Sequence, residues 1–217
     1  MSKEWKGNSA SYRSTLGINK NGTTSEREAA DYYTTDPTAV EQFVKHIEML
    51  RGYISHEVIW EPACGCGNIS KVIKEHWYRV LSSDLHDRGY GESGIDFLKT
   101  DTSFFDPCYY GKIDTIITNP PYSLANEFIL HAMDILPDFG RYFALMNLSY
   151  LTGIKRHETI YKKGYLRAIH IYPHRINCYK NNINTGHSSP VNYAWFEFMK
   201  RPEHNVQQIP SIYWIEK

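Results

Sequence analysis

The stretch Ile113-Asp114-Thr115-Ile116-Ile117-Thr118-Asn119-Pro120-Pro121-Tyr122 decides how the chain is read. Ile113 to Ile117 make a β-branched run, which reads as a strand buried on both faces of a parallel sheet. Asn119-Pro120-Pro121-Tyr122 follows at once, at the carboxyl end of that strand, and open α/β sheets bind ligands along that edge. Asn-Pro and Pro-Pro also make ordinary tight turns, so the position gives the motif its meaning. The Asn119 side-chain carbonyl and the Pro120 backbone carbonyl can both accept hydrogen bonds from one –NH2 group. Such bonds draw the nitrogen lone pair out of conjugation and aim it at an electrophile. Pro120 and Pro121 restrict the backbone so that these acceptors need little ordering. Tyr122 offers a flat face for a planar group, worth about 1 to 3 kcal/mol for a stacked base.

The segments before the motif alternate between strand and helix signals. Residues 38–50 carry apolar positions 40, 43, 44, 47 and 50 on one helical face, with Asp36 or Thr38 as cap, Pro37 early and Gly52 as stop. Val58-Ile59-Trp60 reads as a strand, residues 70–78 as a helix and residues 80–84 as the next strand. Ile95 to Leu98 is a short piece at a further strand end. After the motif, residues 123–136 read as a helix and residues 141–146 as a strand. This alternation predicts an α/β fold with a doubly wound, mostly parallel, Rossmann-like sheet. Residues 166–172 and 191–199 read as two strands without a crossover helix between them, so they are expected to pair antiparallel at the C-terminal edge of the sheet. A short helix is expected over residues 155–161.

The loop Glu61-Pro62-Ala63-Cys64-Gly65-Cys66-Gly67 turns from a strand into a helix. Its glycines let the backbone approach a ligand closely, and the helix N-terminus favours a carboxylate or phosphate. Asp84 ends the next strand nineteen residues after Gly65, about the separation at which an acid accepts from ribose hydroxyls in nucleoside-binding α/β folds. Asp84 alone is more often a helix cap or a turn acid; with the glycines it predicts a nucleoside cofactor. Asp96 can accept from an adenine amino group and Phe97 can line the ring face, or Phe97 can simply fill core. Tyr32 with Tyr33, Thr34 and Thr35 precedes the first helix and can close over the other end of the cofactor.

At 217 residues the chain suits one domain. Residues 1–28 are rich in Ser, Thr, Asn, Gly and Lys and are expected to form a flexible arm. Residues 29–217 are expected to form the single domain, with a basic insert around 150–190. No apolar run approaches a membrane span and no secretory signal is recognisable, so a cytoplasmic location is expected. The Cys64-Gly65-Cys66 spacing lacks the two-residue spacer of a typical zinc pair, so no metal is expected and the four cysteines read as reduced thiols. The formal charges cancel over the whole chain but not along it. Residues 141–201 carry a net +8 and residues 1–140 a net −7, which suits a protein that meets phosphates with one surface; a solvated basic face is the alternative.

With Glu61 to Gly67, Asp84, Asp96-Phe97-Leu98 and Asn119-Pro120-Pro121-Tyr122 in that order, the chain resembles the S-adenosylmethionine-dependent N6-adenine DNA methyltransferases with an N-P-P-Y motif. The motif order is similar to that of their gamma group, and the resemblance spans roughly residues 31–199. It implies that S-adenosyl-L-methionine contacts Tyr33, Thr34, Thr35, Glu61, Ala63, Gly65, Gly67, Asp84, Leu85, Asp96, Phe97 and Asn119. It implies that Asn119, Pro120, Pro121 and Tyr122 bind and polarise the target amine, with nucleic acid as partner, DNA ahead of RNA. No separate target-recognition domain is evident. The family's aromatic for the far face of an extruded base has no clear equivalent; Tyr179 is the candidate, with Arg175 beside it. The same chemistry also serves enzymes that methylate a protein glutamine amide, and a cofactor-binding module without catalysis is the reading from another class.

Overall fold

A computed structural model describes residues 33–52, 58–76, 78–105, 112–180, 191–202 and 209–216. The predicted N-terminal arm, Tyr32 and the whole of the segment 181–190 lie outside the described residues.

Eight strands form one sheet in the order β10-β7-β9-β6-β5-β2-β3-β4. They are β2 (Val58–Glu61), β3 (Arg79–Asp84), β4 (Glu92–Ser93), β5 (Ile113–Thr118), β6 (Arg141–Asn147), β7 (Leu166–Ile171), β9 (Tyr193–Met199) and β10 (Ser211–Trp214). All neighbours run parallel except β9, which is antiparallel to both β6 and β7. The α/β, mostly parallel, doubly wound sheet expected from the sequence is therefore present. One detail is corrected. The two strands predicted to close the C-terminal edge do pair antiparallel, but β9 is inserted between β6 and β7, and the edge belongs to β10. Both flanks of β9 are hydrogen-bonded, and all seven of its residues are buried, which fits a central strand rather than an edge.

Helices cover both faces because the central strands are apolar on both. Tyr142, Ala144 and Met146 of β6 join one core with α3 (Ala125–Ile135), while Phe143 and Leu145 join the other. That second core is closed by α1 (Pro37–Arg51) and α2 (Asn68–Glu75). Helix α1 starts as predicted, with the Asp36 carboxylate accepting from Thr38 N at 2.9 Å, and Gly52 at φ 73° ends it. The helix predicted for residues 155–161 is a short α4 (Ile154–Arg156) that widens into a π turn over His157–Tyr161. Outside the sheet, β1 (Tyr33–Thr35) and β8 (Cys178–Lys180) form a two-stranded antiparallel ribbon. Among the described residues no helix is long and apolar enough to cross a membrane.

Strand β2 lies between β3 and β5, so the chain winds outward to β3 and β4 and then returns to continue through β5 and β6. At this reversal the loops after β2 and β5 diverge to opposite faces and leave a crevice between them.

Candidate cofactor and catalytic site

The crevice is a cavity at the carboxyl ends of β2, β3 and β5. Tyr33, Thr34, Thr35, Glu61, Ala63, Gly65, Asp84, Leu85, Asp96, Phe97 and Asn119 all line it. Residues far apart in sequence are thus brought to one place, as the motif order implied. Pro121 lines the cavity as well, whereas Gly67, Pro120, Tyr122, Arg175 and Tyr179 are not part of the lining.

The glycine loop is held by its neighbours. Gly65 N donates to Asp84 Oδ2 at 2.9 Å, and His86 N donates to Asp84 Oδ1 at 2.8 Å. The buried Asp84 carboxylate therefore ties the loop after β2 to the loop after β3 while facing the cavity. Gly67, at φ 82°, forms the start of α2. A Cβ there would lie 2.4 Å from Cδ1 of Tyr90, so ring and backbone geometry both demand glycine.

Glu61 is 1 % exposed, and its Oε2 accepts from both the amide (2.8 Å) and the hydroxyl of Ser70 in the first turn of α2. Burial pushes its carboxyl up to about 8 despite these two donors. Near neutral pH it is poised to ionise when a cation approaches. Asp96 caps the turn Phe97–Lys99 by accepting from Leu98 N and pairs with Lys99 Nζ at 2.8 Å, which holds its carboxyl below the usual range. Phe97 fills core, the second of its two expected readings, and also borders the cavity. It is 2 % exposed, packed against Trp60 and Phe128, and one part of it still lines the cavity.

Asn119 is the most informative side chain. Its Nδ2 donates to Tyr33 O at 3.0 Å and to Thr35 Oγ1 at 3.3 Å. Two acceptors on the ribbon strand β1 therefore fix which end of the amide is which. Its Oδ1 is buried and has no hydrogen-bond partner among the described residues, a state that costs about 1 to 3 kcal/mol unless a donor arrives. Asn68, at the start of α2, donates from Nδ2 to Thr35 O at 2.9 Å and holds the same strand from the other side.

The Tyr122 ring neighbours Tyr33 (5.7 Å between centroids) and Tyr193 (6.0 Å, planes 25° apart). Tyr150 Oη donates to Tyr122 O at 2.6 Å, and Tyr161 Oη donates to Tyr150 O at 2.5 Å. These bonds connect the motif to the basic turn around α4. Tyr179 reaches the region through the ribbon: it pairs with Thr34, and its hydroxyl donates to Asp36 Oδ2 at 3.3 Å. Arg175 is exposed in the preceding loop. Sequence reasoning missed Asn68 and Tyr193. Asn68 was readable as the first residue after the glycine loop at a helix start; nothing local marks Tyr193. Cys64, Cys66 and Cys178 are free thiols, and burial pushes Cys64 and Cys178 up to about 12.

No protein-family model and no curated protein matches the sequence. Solved structures do match the fold. A candidate class I S-adenosylmethionine-dependent methyltransferase from Listeria monocytogenes superposes with a TM-score of 0.58 at 13% identity, covering 94% of this chain and 71% of that one. The chain has the fold of the S-adenosylmethionine-dependent methyltransferases. A type I restriction-modification methyltransferase subunit from Streptococcus thermophilus matches with a TM-score of 0.57 at 13% identity, over 82% of this chain but only 46% of that one. A candidate RNA methyltransferase from Pyrococcus horikoshii matches with a TM-score of 0.56 at 14% identity, over 78% of this chain and 87% of that one. The chain thus spans less than half of the restriction-modification subunit.

Proposed function

We propose that this protein transfers a methyl group from S-adenosyl-L-methionine to the exocyclic amino group of adenine in nucleic acid, with DNA ahead of RNA. The observation that carries the reading is the unpartnered, buried Oδ1 of Asn119, held in one orientation by the bonds from its own Nδ2. An acceptor so fixed at the cavity wall suits an incoming –NH2 group, and a neutral acceptor suits an amine that must stay nucleophilic.

The cavity fits the cofactor by the chemistry of its donors and acceptors. Asp84 would take the ribose hydroxyls with the lone pairs left over from Gly65 and His86. Asp96 and Phe97 would hold the adenine end. Glu61, raised to about 8 by burial, would meet the cationic methionine end together with the glycine loop. When bound, the cofactor supplies an electrophilic methyl group. Asn119 and the Pro120 carbonyl would orient the amine, Tyr122 would stack against the base, and positioning would carry most of the rate enhancement. A base in a duplex would have to be extruded to reach the motif. Support for a nucleic-acid partner comes from the basic stretch 141–201 and from restriction-modification and RNA methyltransferase proteins among the structural neighbours.

Incubation with tritiated S-adenosylmethionine and DNA, RNA or protein tests the reading. Label in DNA that nuclease digestion releases as N6-methyladenine is expected; label confined to protein, or no transfer beside measurable cofactor binding, overturns it.

A further inference from the structure

The opposite end of the sheet carries a second cluster of charged groups. Glu197 on β9 is 2 % exposed, and its Oε1 faces three guanidinium groups. Arg51, the last residue of α1, lies at 2.5 Å, Arg167 on β7 at 3.2 Å and Arg141 at the start of β6 at 3.8 Å. His170 Nε2 meets the other oxygen at 3.2 Å. The strand register shifts between Leu166 and Ala168, an irregularity of the kind that redirects a side chain, and Arg167 there reaches Glu197. Among the described residues Arg141 and Arg167 meet no other carboxylate within ion-pair distance.

One carboxylate leaves donors of Arg141 and Arg167 underused among the described residues. Arg141 Nη1 is buried and makes no hydrogen bond to a described residue. The same is true of Nε of Arg201, which lies two residues beyond β9, at the end of the strand where Met199 pairs with Arg141. The side chains of Arg51, Arg141 and Arg167 are 15%, 27% and 35% exposed, so solvent reaches the cluster. Excess positive charge, orphaned planar donors and access together match a tetrahedral oxyanion, which guanidinium groups grip in pairs.

We propose that Arg51, Arg141 and Arg167, with Arg201 beside them, form a phosphate-binding site at the amino ends of β6 and β7, remote from the cofactor cavity. The phosphate group is either free, as on a small metabolite, or part of a polynucleotide backbone; the recognition chemistry is shared.

The test is calorimetric titration of the full chain with inorganic phosphate at constant ionic strength, with chloride as the exchanged anion. Saturable binding at one site is expected, weakened about tenfold or more by Arg141→Gln and by Arg167→Gln, while the exposed Lys155→Gln changes nothing. Melting curves and S-adenosylmethionine titrations of the same variants check that fold and cofactor cavity are intact. A short single-stranded oligonucleotide that displaces phosphate, and is itself weakened by Arg167→Gln, identifies a backbone as the source; failure to displace identifies a small phosphate compound. No saturable binding above the chloride control, or binding indifferent to both arginine substitutions, overturns the proposal. Because the readout is phosphate binding, its failure leaves the methyl-transfer reading standing, and the reverse.

Discussion

Glu61 and Glu197 are buried almost equally, at 1 % and 2 % exposed, yet they titrate in opposite directions. Burial raises both. At Glu61 the amide and hydroxyl of Ser70, and to a lesser degree the charge of Lys74, oppose it, and the carboxyl still rises to about 8. At Glu197 burial is outweighed by the hydrogen bond from His170 and the charges of Arg51 and Arg141, and the carboxyl falls below its usual value. Burial sets the cost of a charge, and the partners decide whether the charge survives. The two ends of the sheet differ accordingly. The carboxyl end holds the buried Glu61 and the unpartnered Asn119 Oδ1; the amino end gathers three guanidinium groups around one carboxylate.

That contrast can be broken by substitution. Glu197→Ala should cost about 3 to 5 kcal/mol of stability, since it leaves the buried His170 without its carboxylate partner and three half-buried guanidinium groups without their counter-charge; chemical denaturation measures it, and a loss under 1 kcal/mol would mean that solvent replaces the carboxylate. Glu61→Gln acts in the other direction. A group whose folded value lies above its unfolded value of about 4.5 stabilises fully below that value and loses its contribution as pH rises to about 8. The unfolding free energy of the variant, measured by chemical denaturation, should therefore gain on that of wild type between pH 5 and pH 8, by on the order of 2 to 4 kcal/mol. Parallel pH profiles would place Glu61 in contact with water or a cation.

Asp84→Ala should weaken S-adenosylmethionine binding about 10- to 100-fold by calorimetry, because it removes a charged acceptor worth about 1.5 to 3 kcal/mol and frees the glycine loop. Unchanged affinity would move the ribose contact elsewhere. The smallest effect is expected from Thr35→Val, which removes the longer of the two acceptors holding Asn119 Nδ2. Methyl transfer should fall about 2- to 10-fold, with cofactor affinity unchanged and Thr35→Ser near wild type; equal rates for all three would show that Tyr33 O alone orients the amide.

The sequence-readable parts of the site share a physical cause. Asn119, Asp84 and the glycine loop follow strongly apolar strands, so their places at strand ends follow from local periodicity and strand-end chemistry. Asp96 and Phe97 were read from the short piece Ile95 to Leu98 alone, because the strand before them, β4, is two exposed polar residues with no apolar signal. What was not legible depends on pairing over long separations. The β1–β8 ribbon joins Thr34 to Tyr179 through three-residue strands that carry no periodic signal, and it is this ribbon that supplies the acceptors for Asn119 Nδ2. Tyr193 reaches Tyr122 only because β9 is inserted beside β6. Edge strand β10 stayed hidden because Ser211–Trp214 is short and leaves Ile212 and Trp214 exposed, the reverse of a buried parallel strand.

In the proposed reaction the fixed neutral acceptor at Asn119 polarises the amine. Single-turnover methyl transfer to adenine-containing DNA, at saturating S-adenosylmethionine, should be about 10²- to 10³-fold slower for Asn119→Ala than for wild type, the loss seen when one preorganised polar group is removed. Cofactor affinity in the same variant should stay within about twofold. An undiminished transfer rate, or a slow rate explained wholly by lost cofactor binding, would contradict it.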